Sequence, residues 1–421
     1  MPPQPLALIV LADDVTGAAD TAARIHAAGL DAAILLGPGP AGGQALALTS
    51  DSRHVDAGAA AERVRAAVAS IGARPGAIWY KKIDSTLRGH IAAELDAMLD
   101  ALGRRCAVVC PAFPAQRRAL VDGLLVAPDL VGPPPSLPEL LAAARRPAAH
   151  IGLETVRAGV DALAGRLAEL AGAGAELLAV DAQDDADLET IEASVAAALP
   201  DALRCGSAGL AGALARRLAR AQGRGGHAPH PHPLSHGHSH PAGPALLVIG
   251  SASAAAGRQI AVLRQRQRVR CLTLAPEGTP ALYSAAPALL PALHGAEERG
   301  GLGDWSAVLL QLPPAAPGTP LDGPDARALA ERLAAAACDL VERLEPGLLI
   351  LSGGDTAGAV LRRLGVRRLD VLDELLPGMP LAAGADSRGR IRRVVLKAGA
   401  HGEDDALVEL LRRTRDEEIS L

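Results

Sequence analysis

The sequence predicts an α/β fold in two domains, each a mainly parallel sheet flanked by helices, and three observations carry that expectation. The chain has 421 residues, beyond the size at which one hydrophobic core keeps growing. Short apolar runs alternate with Ala/Leu-rich helical stretches, first over residues 6–220 and again from residue 246, the rhythm of βα units on a parallel sheet. Between the two series, residues 222–244 are dense in Gly, Pro and Ser and hold six of the twelve histidines. Such a composition has little to bury and reads as a flexible tether rather than a metal site. The expected division is a first domain at 1–221, a His/Pro/Gly-rich linker at 222–244 and a second domain at 245–421.

In the first series the expected strands are residues 6–12, 32–36, 46–49, 77–80, 106–110 and 177–180, with a helix over 16–28 and others of about 10–15 residues between most of them. In the second, strands are expected at 246–249, 271–274, 307–312, 348–351 and 394–396, with a helix running to about residue 264 after the first. No short-period repeat is present.

Composition excludes several classes of function. Hydrophobic residues make up 49% and charged residues 21%, as in an ordinary globular protein. Five aromatic residues and a net charge of -5 leave neither stacking platforms nor a broad basic surface for nucleic acid. The five cysteines are scattered and lack a CxxC pair, so neither a disulfide framework nor a zinc site is expected. The apolar run after the N-terminal Met-Pro-Pro-Gln-Pro is short and stops at Asp13-Asp14, unlike a signal peptide, and no stretch is long enough to span a membrane. A cytoplasmic location is expected, with no membrane or nucleic-acid partner; self-association is left open, as a homo-oligomer. Lysine is rare: only Lys81, Lys82 and Lys397 accompany 39 arginines, and all three fall inside motifs.

Gly37-Pro38-Gly39-Pro40-Ala41-Gly42 formally matches GxGxxG, but its two prolines remove backbone donors and the chain continues into a strand, so it reads as a turn. No GxxxxGK[ST] loop exists. Ser352-Gly353-Gly354-Asp355-Thr356 is different: it lies between an apolar strand and an amphipathic helix, where paired glycines and free N–H groups suit an anion. Asp355 or Thr356 can equally cap that helix. Gly250-Ser251-Ala252-Ser253 and Lys397-Ala398-Gly399-Ala400-His401 leave two further strands of the same domain. Ligands bind beyond the carboxyl ends of strands in such sheets, so the three loops together look like a nucleotide cradle.

The N-terminal half carries Asp13-Asp14 at the end of its first strand and Asp51-Ser52-Arg53 at the end of its third. Its densest cluster is Lys81-Lys82-Ile83-Asp84-Ser85-Thr86-Leu87-Arg88-Gly89. Adjacent carboxylates are costly if buried unpaired, so either they cap a helix or they hold hydroxyls or a cation. An Arg in this setting suits a substrate carboxylate. Capping accounts for Ser85 or Thr86 but not for Lys82, Asp84 and Arg88 together.

These segments, with Pro-Ala-Phe-Pro at 111–114, Gly-Gly-Asp-Thr-Ala at 353–357 and Lys-Ala-Gly at 397–399, resemble in order the signatures of the four-carbon acid sugar kinases. The resemblance implies a first domain that binds threonate, erythronate or 3-oxo-tetronate, a second that binds ATP with Mg²⁺, and transfer of the γ-phosphoryl group to the 4-hydroxyl. It assigns Asp13, Asp14, Arg53, Lys82, Ile83, Asp84 and Ser85 to the acid sugar, and Ser251, Gly353, Gly354, Asp355, Thr356 and Gly399 to ATP, with Ser253 beside them. On this expectation Arg53 and Arg88 anchor the carboxylate, Lys82 steadies the phosphoryl group, and Asp84, with Asp14 as the alternative, accepts the hydroxyl proton. Domain closure should matter as much as the base, because phosphoryl transfer is mostly positioning and charge stabilisation. Two departures stand out. Ala400-His401 replaces the family's usual Gly or Asn followed by Phe, and Val131-Gly132-Pro133-Pro134-Pro135 replaces a longer polar stretch. A nicotinamide-dependent oxidoreductase and a sugar-acid sensor without catalysis are the rival expectations.

Overall fold

The computed structural model describes residues 6–37, 42–72, 74–128, 130, 132–223, 243–274, 307–312 and 324–419. Most of the Gly37–Gly42 turn, most of the 222–244 linker, and Val131 therefore lie outside the described residues. The chain divides into two compact units, Met1–His230 and Pro231–Leu421.

The first unit is a parallel sheet. Its strands are β1 (Leu8–Ala12), β2 (Ala32–Leu35), β3 (Ala45–Thr49), β4 (Ile78–Lys82), β5 (Ala107–Cys110), β8 (Ala148–Ile151), β9 (Leu177–Val180) and β10 (Leu203–Gly206), in the order β2-β3-β1-β4-β10-β5-β9-β8. A two-stranded antiparallel hairpin, β6 (Ala119–Val121) with β7 (Leu124–Val126), stands apart. Helices α1 (Val15–Ala27), α2 (Ala57–Ile71) and α3 (Ile91–Leu102) follow β1, β3 and β4, and α4 (Leu137–Leu141), α5 (Leu153–Arg157), α6 (Val160–Gly172), α7 (Asp185–Ala198) and α8 (Ala208–Ala221) complete the unit. Burial explains why β1 is a continuous run, Leu8-Ile9-Val10-Leu11-Ala12: all five residues are 0% exposed, as expected of a central parallel strand covered on both faces. Ile9 and Leu11 join Leu46, Leu48, Val64, Leu95 and Leu99 in one core.

Three sequence expectations change here. Strand β4 runs on to Lys82, so Lys81 and Lys82 lie in the strand and not in the following turn. Strand β10 escapes a hydrophobicity reading because it carries Arg204, whose buried guanidinium lies 3.5 Å from Glu192. Edge strand β8 is short and Ala-rich, which weakens its signal.

The second unit contains β11 (Gly243–Ile249), β12 (Val269–Thr273), β13 (Ala307–Gln311), β14 (Pro346–Ser352), β15 (Arg368–Leu376), β16 (Met379–Ala385) and β17 (Ile391–Lys397). Their order is β12-β13-β11-β14-β17-β16-β15. The first five in that order pair in parallel, whereas β15, β16 and β17 form an antiparallel meander. The meander is the main departure from the expected pattern. Its β15–β16 turn is Pro377-Gly378, with Gly378 at φ +75°, as a type II turn requires. Bulges in β15 break its period of two and hide it from an alternation reading.

Candidate active site

The first unit places its polar cluster at a switch in strand order. Strands β3 and β4 flank β1 on opposite sides, so the loops leaving these three strands diverge around a crevice beyond their carboxyl ends, where open α/β sheets bind ligands. Asp13 and Asp14 leave β1, Arg53 leaves β3, and Lys82 to Arg88 leave β4.

Arg53 is the centre of the cluster. Its Nε and Nη2 donate to the two carboxylate oxygens of Asp13 at 2.7 and 2.9 Å, and its Nη1 donates to Asp14 Oδ2 at 2.6 Å. Asp84 Oδ1 lies 3.6 Å from Nη2. The guanidinium expected to grip a substrate carboxylate is thus engaged by the protein's own carboxylates. Burial by itself would raise Asp13, but Arg53 beside it, with Lys81 and Lys82, holds its carboxyl below the usual range.

Asp14 caps α1: its Oδ1 accepts from Gly17 N at 2.6 Å and its Oδ2 from Thr16 Oγ1 at 2.8 Å. The capping reading of this pair therefore holds for Asp14, which is at once a cap and a partner of Arg53.

Asp84 is held more firmly still. Arg88 approaches it in a bidentate fork, Nε to Oδ2 and Nη2 to Oδ1, both 2.9 Å, and Thr86 donates to Oδ2 through its backbone N–H at 3.1 Å and through its hydroxyl. Burial opposes ionisation, yet these bonds and the Arg53 charge hold the Asp84 carboxyl well below the ordinary carboxylate range. Oδ2 is saturated while Oδ1 keeps lone-pair capacity for another donor. The Arg88 side chain is 66% exposed and presents the accessible face of this fork.

Lys82 Nζ donates to Ile83 O at 2.9 Å and is buried; Ile83 in turn ties β4 to β10 by donating its N–H to Gly206 O at 2.9 Å. Ser85 Oγ receives Arg118 Nη1 at 2.5 Å. Sequence reasoning missed Arg118. The Pro-Ala-Phe-Pro segment brings it in: Phe113 N donates to Arg118 O at 2.8 Å, folding the chain back on itself. The available signal was the Arg117-Arg118 pair just after that motif.

Lys81, the neighbour of Lys82, has a different task. Its Nζ contacts Glu94 Oε2 of α3 at 2.6 Å, with side-chain exposures of 0% and 2%. Glu94 Oε1 receives Ser52 Oγ at 2.7 Å, and Ser52 meets Ser50 at 2.8 Å. This buried chain fixes the β3 loop that carries Arg53.

In the second unit, β11 lies between β13 and β14, and the loops after β11, β14 and β17 converge as expected. Gly353 N donates to Lys397 O at 3.0 Å. Ser253 Oγ donates to Gly399 O at 3.2 Å, and Ser251 Oγ donates to Ser253 Oγ at 3.0 Å. Ser253 also caps α9 (Ala254–Arg266), accepting from Ala256 N at 3.2 Å, so its hydroxyl is largely committed to holding the loops together.

The cap of the helix after β14 differs from the expectation. Helix α11 (Gly354–Leu364) follows α10 (Pro324–Leu344), and its N-cap is Gly353, at φ +103°, with no side-chain cap. Asp355 and Thr356 fall inside its first turn. The leading N–H groups of α11 therefore have no side-chain cap, which favours an anion. Gly399 is required by close approach: a Cβ there would stand 2.2 Å from Ser251 Oγ. On the expectation that these loops cradle a nucleotide and the first unit an acid sugar, Gly399→Ala should push the β11 and β17 loops apart and raise the KM for nucleotide at least tenfold, leaving acid-sugar affinity within twofold. The double variant with Ser251→Gly, which removes the clashing atom, should recover part of that loss.

Among the described residues no helix is long and apolar enough to cross a membrane. All five cysteines are free thiols.

Residues 8–214 match the family of sugar-binding N-terminal domains and residues 246–407 that of nucleotide-binding C-terminal domains. The chain is 32% identical over 430 residues to the D-threonate kinase of Bordetella bronchiseptica RB50, covering 97% of both chains. It is 32% identical over 389 residues to the 3-oxo-tetronate kinase of Methylobacterium radiotolerans, covering 84% of this chain and 86% of that one. The fold is also that of a Salmonella typhimurium LT2 crystal structure described as a tRNA synthase, with a TM-score of 0.74 and 23% identity over 97% of this chain and 99% of the other; at that identity the likeness concerns the fold alone. The chain belongs to the four-carbon acid sugar kinase family.

Proposed function

We propose that the protein is an ATP-dependent kinase that phosphorylates the 4-hydroxyl of a four-carbon acid sugar: a threonate, an erythronate or a 3-oxo-tetronate. The observation that carries this reading is the Arg88–Asp84 fork, a fixed carboxylate with one oxygen open to a donor and an accessible guanidinium beside it. A small polyhydroxy acid needs that combination: a cation for its carboxylate and an acceptor for its reacting hydroxyl. Two relatives with these activities in their names support the substrate class.

The geometry suggests a division of labour. Arg88 meets the substrate carboxylate. Arg53 holds Asp13 and Asp14 aimed by its three hydrogen bonds, so that they accept sugar hydroxyls, and Lys82 supplies positive charge where the phosphoryl group arrives. Asp84 orients the attacking hydroxyl and takes its proton late, which suits a carboxylate of low basicity in a largely dissociative transfer. In the second unit, the N–H groups of Gly354 and Asp355, with the loops of Ser251 and Gly399, hold the ATP phosphates. The uncapped start of α11 and the close approach of the Ser251 and Gly399 loops fit such a group. Mg²⁺ would supply neutralisation of the charge that develops on the transferring group, and Asp355, the carboxylate nearest in sequence to that helix start, would be its protein partner.

A coupled ADP-release assay over D- and L-threonate, D-erythronate and 3-oxo-tetronates tests the reading. ADP release should depend on both Mg²⁺ and one of these acids. The product's ³¹P signal should split into a triplet, since the phosphorylated carbon bears two hydrogens. Binding of the acids with no ADP release would instead favour a sensor, and acid-dependent reduction of NAD⁺ an oxidoreductase.

A further inference from the structure

The nucleotide-type loops contain a buried lysine that, among the described residues, no carboxylate balances. Lys397 ends β17, is 0% exposed, and among the described residues donates from Nζ only to the carbonyls of its own loop, Ala398 O at 3.2 Å and Gly399 O at 3.1 Å. Its register neighbour on β14 is Ser352. Paired residues of parallel strands point to the same face. The Ser352 hydroxyl is buried without a hydrogen-bond partner among the described residues. The lysine and an unsatisfied hydroxyl thus lie on neighbouring strand ends, next to Gly399, whose carbonyl Nζ reaches, and to Gly353 at the uncapped start of α11, whose N–H donates to Lys397 O.

We propose that Lys397 is the interior cation of the nucleotide site, a positioning residue whose ammonium charge is completed by the nucleotide's phosphates and whose hydrogen bonds hold the Gly399 loop in its binding shape. The inference rests on the ATP-kinase reading above and extends it to a residue outside the glycine and serine contacts. Contrast with Lys81 supports it. Both lysines are fully buried, but Lys81 has Glu94 at 2.6 Å, and a structural lysine needs such a partner because an unpaired buried charge is costly. Groups on the surrounding elements do not supply one. On α9, Arg258 pairs with Asp404 at 2.8 Å, and Gln259 donates to the carbonyls of His401, Gly402 and Glu403. The other titratable groups of these elements are Arg264 and Arg266 on α9, Arg362, Arg363 and Asp355 on α11, Arg392 and Arg393 on β17, and His401, Glu403 and Asp405 on its loop, where Asp405 faces Arg266 at 3.8 Å; among the described residues none of the carboxylates forms an ion pair with Nζ. Burial consequently lowers Lys397 to about 7. The lysine is therefore poised to take up a proton when phosphates arrive, and binding is coupled to proton uptake.

Calorimetric titration of ATP at pH 8 into the full-length protein, in two buffers of different ionisation enthalpy, reads that proton directly. The wild type should take up a substantial fraction of one proton. Lys397→Met should take up none, bind ATP at least tenfold more weakly, and leave acid-sugar affinity within twofold; Lys397→Arg, permanently charged, should bind without uptake. Lys397→Met should also melt above the wild type near pH 7, with the gap closing towards pH 10, because a depressed lysine costs stability increasingly as pH falls from its unfolded value of 10.5 to about 7. Proton uptake that persists in Lys397→Met, or ATP affinity within twofold of wild type, overturns the proposal alone. A wild type that binds no nucleotide overturns both this inference and the kinase reading.

Discussion

Lys81→Met is expected to destabilise the first unit by about 3–5 kcal/mol, the usual cost of removing one partner from a buried ion pair. The loss arises less from the missing attraction than from the Glu94 carboxyl, left at 2% exposure with the Ser52 hydroxyl but without its cation. Denaturant melts followed by the fluorescence of Trp79, which sits two residues away on β4, would measure it in a Trp305→Phe background. Lys81→Met with Glu94→Leu should recover most of the stability, since two apolar groups leave no buried charge. Burial acts to lower Lys81, but Glu94 and Asp13 hold it above its ordinary 10.5. A raised lysine contributes fully below its unfolded value and loses that contribution only as pH rises past the folded one, so the deficit of the variant should be flat from pH 6 to 9. If single and double variants lose equal stability, the pair is not what fixes this loop.

The contrast between Lys81, Lys82 and Lys397 shows how far the sequence could be read. Their rarity among 39 arginines marked all three, and all three are buried at strand ends beside ligand-type loops. Rarity could not separate them, because their roles depend on partners far along the chain. Glu94 lies on α3 with nothing in its local sequence to join it to Lys81. The same limit applies to Arg53. A loop Arg next to two acids elsewhere in sequence reads as a substrate anchor, and only the fold brings Asp13 and Asp14 onto both edges of its guanidinium. Parallel strands announce themselves as apolar runs because both faces are covered. The β15–β16 meander did not, since β15 is bulged and half-exposed and β16, though buried, is Met-Pro-Leu-Ala-Ala-Gly-Ala, rich in small residues. At the nucleotide-type loops the Gly-Gly pair was legible, but which residue caps the helix was a matter of backbone angle at Gly353.

Asp84→Asn is expected to lower turnover by about 10²–10⁴-fold, the range for loss of a positioned acid–base group, with KM for the acid sugar changed far less. The substitution keeps size and hydrogen-bonding shape but removes the charge that holds Arg88 and the acceptor that faces the hydroxyl. Asp14→Asn is the proper comparison. Asn caps a helix as well as Asp does, so α1 should stay formed, and the variant loses only the second carboxylate of Arg53; its turnover should fall at least tenfold less than that of Asp84→Asn. Near-normal turnover in Asp84→Asn with a large loss in Asp14→Asn would transfer the base to Asp14. The pH profile separates them further. Asp84 is held well below the usual range by Arg88, Arg53 and Thr86, against the effect of burial, so kcat should show no acidic limb near the unperturbed carboxylate value of 3.8 or above it. A depressed carboxyl also stabilises the fold above its unfolded value and withdraws that contribution as pH falls through the folded one. The Asp84→Asn variant should therefore lose stability relative to wild type at neutral pH, and the difference should vanish only in strong acid. A limb at mildly acidic pH that disappears in Asp84→Asn would mean that substrate binding breaks the Arg88 fork before the proton moves.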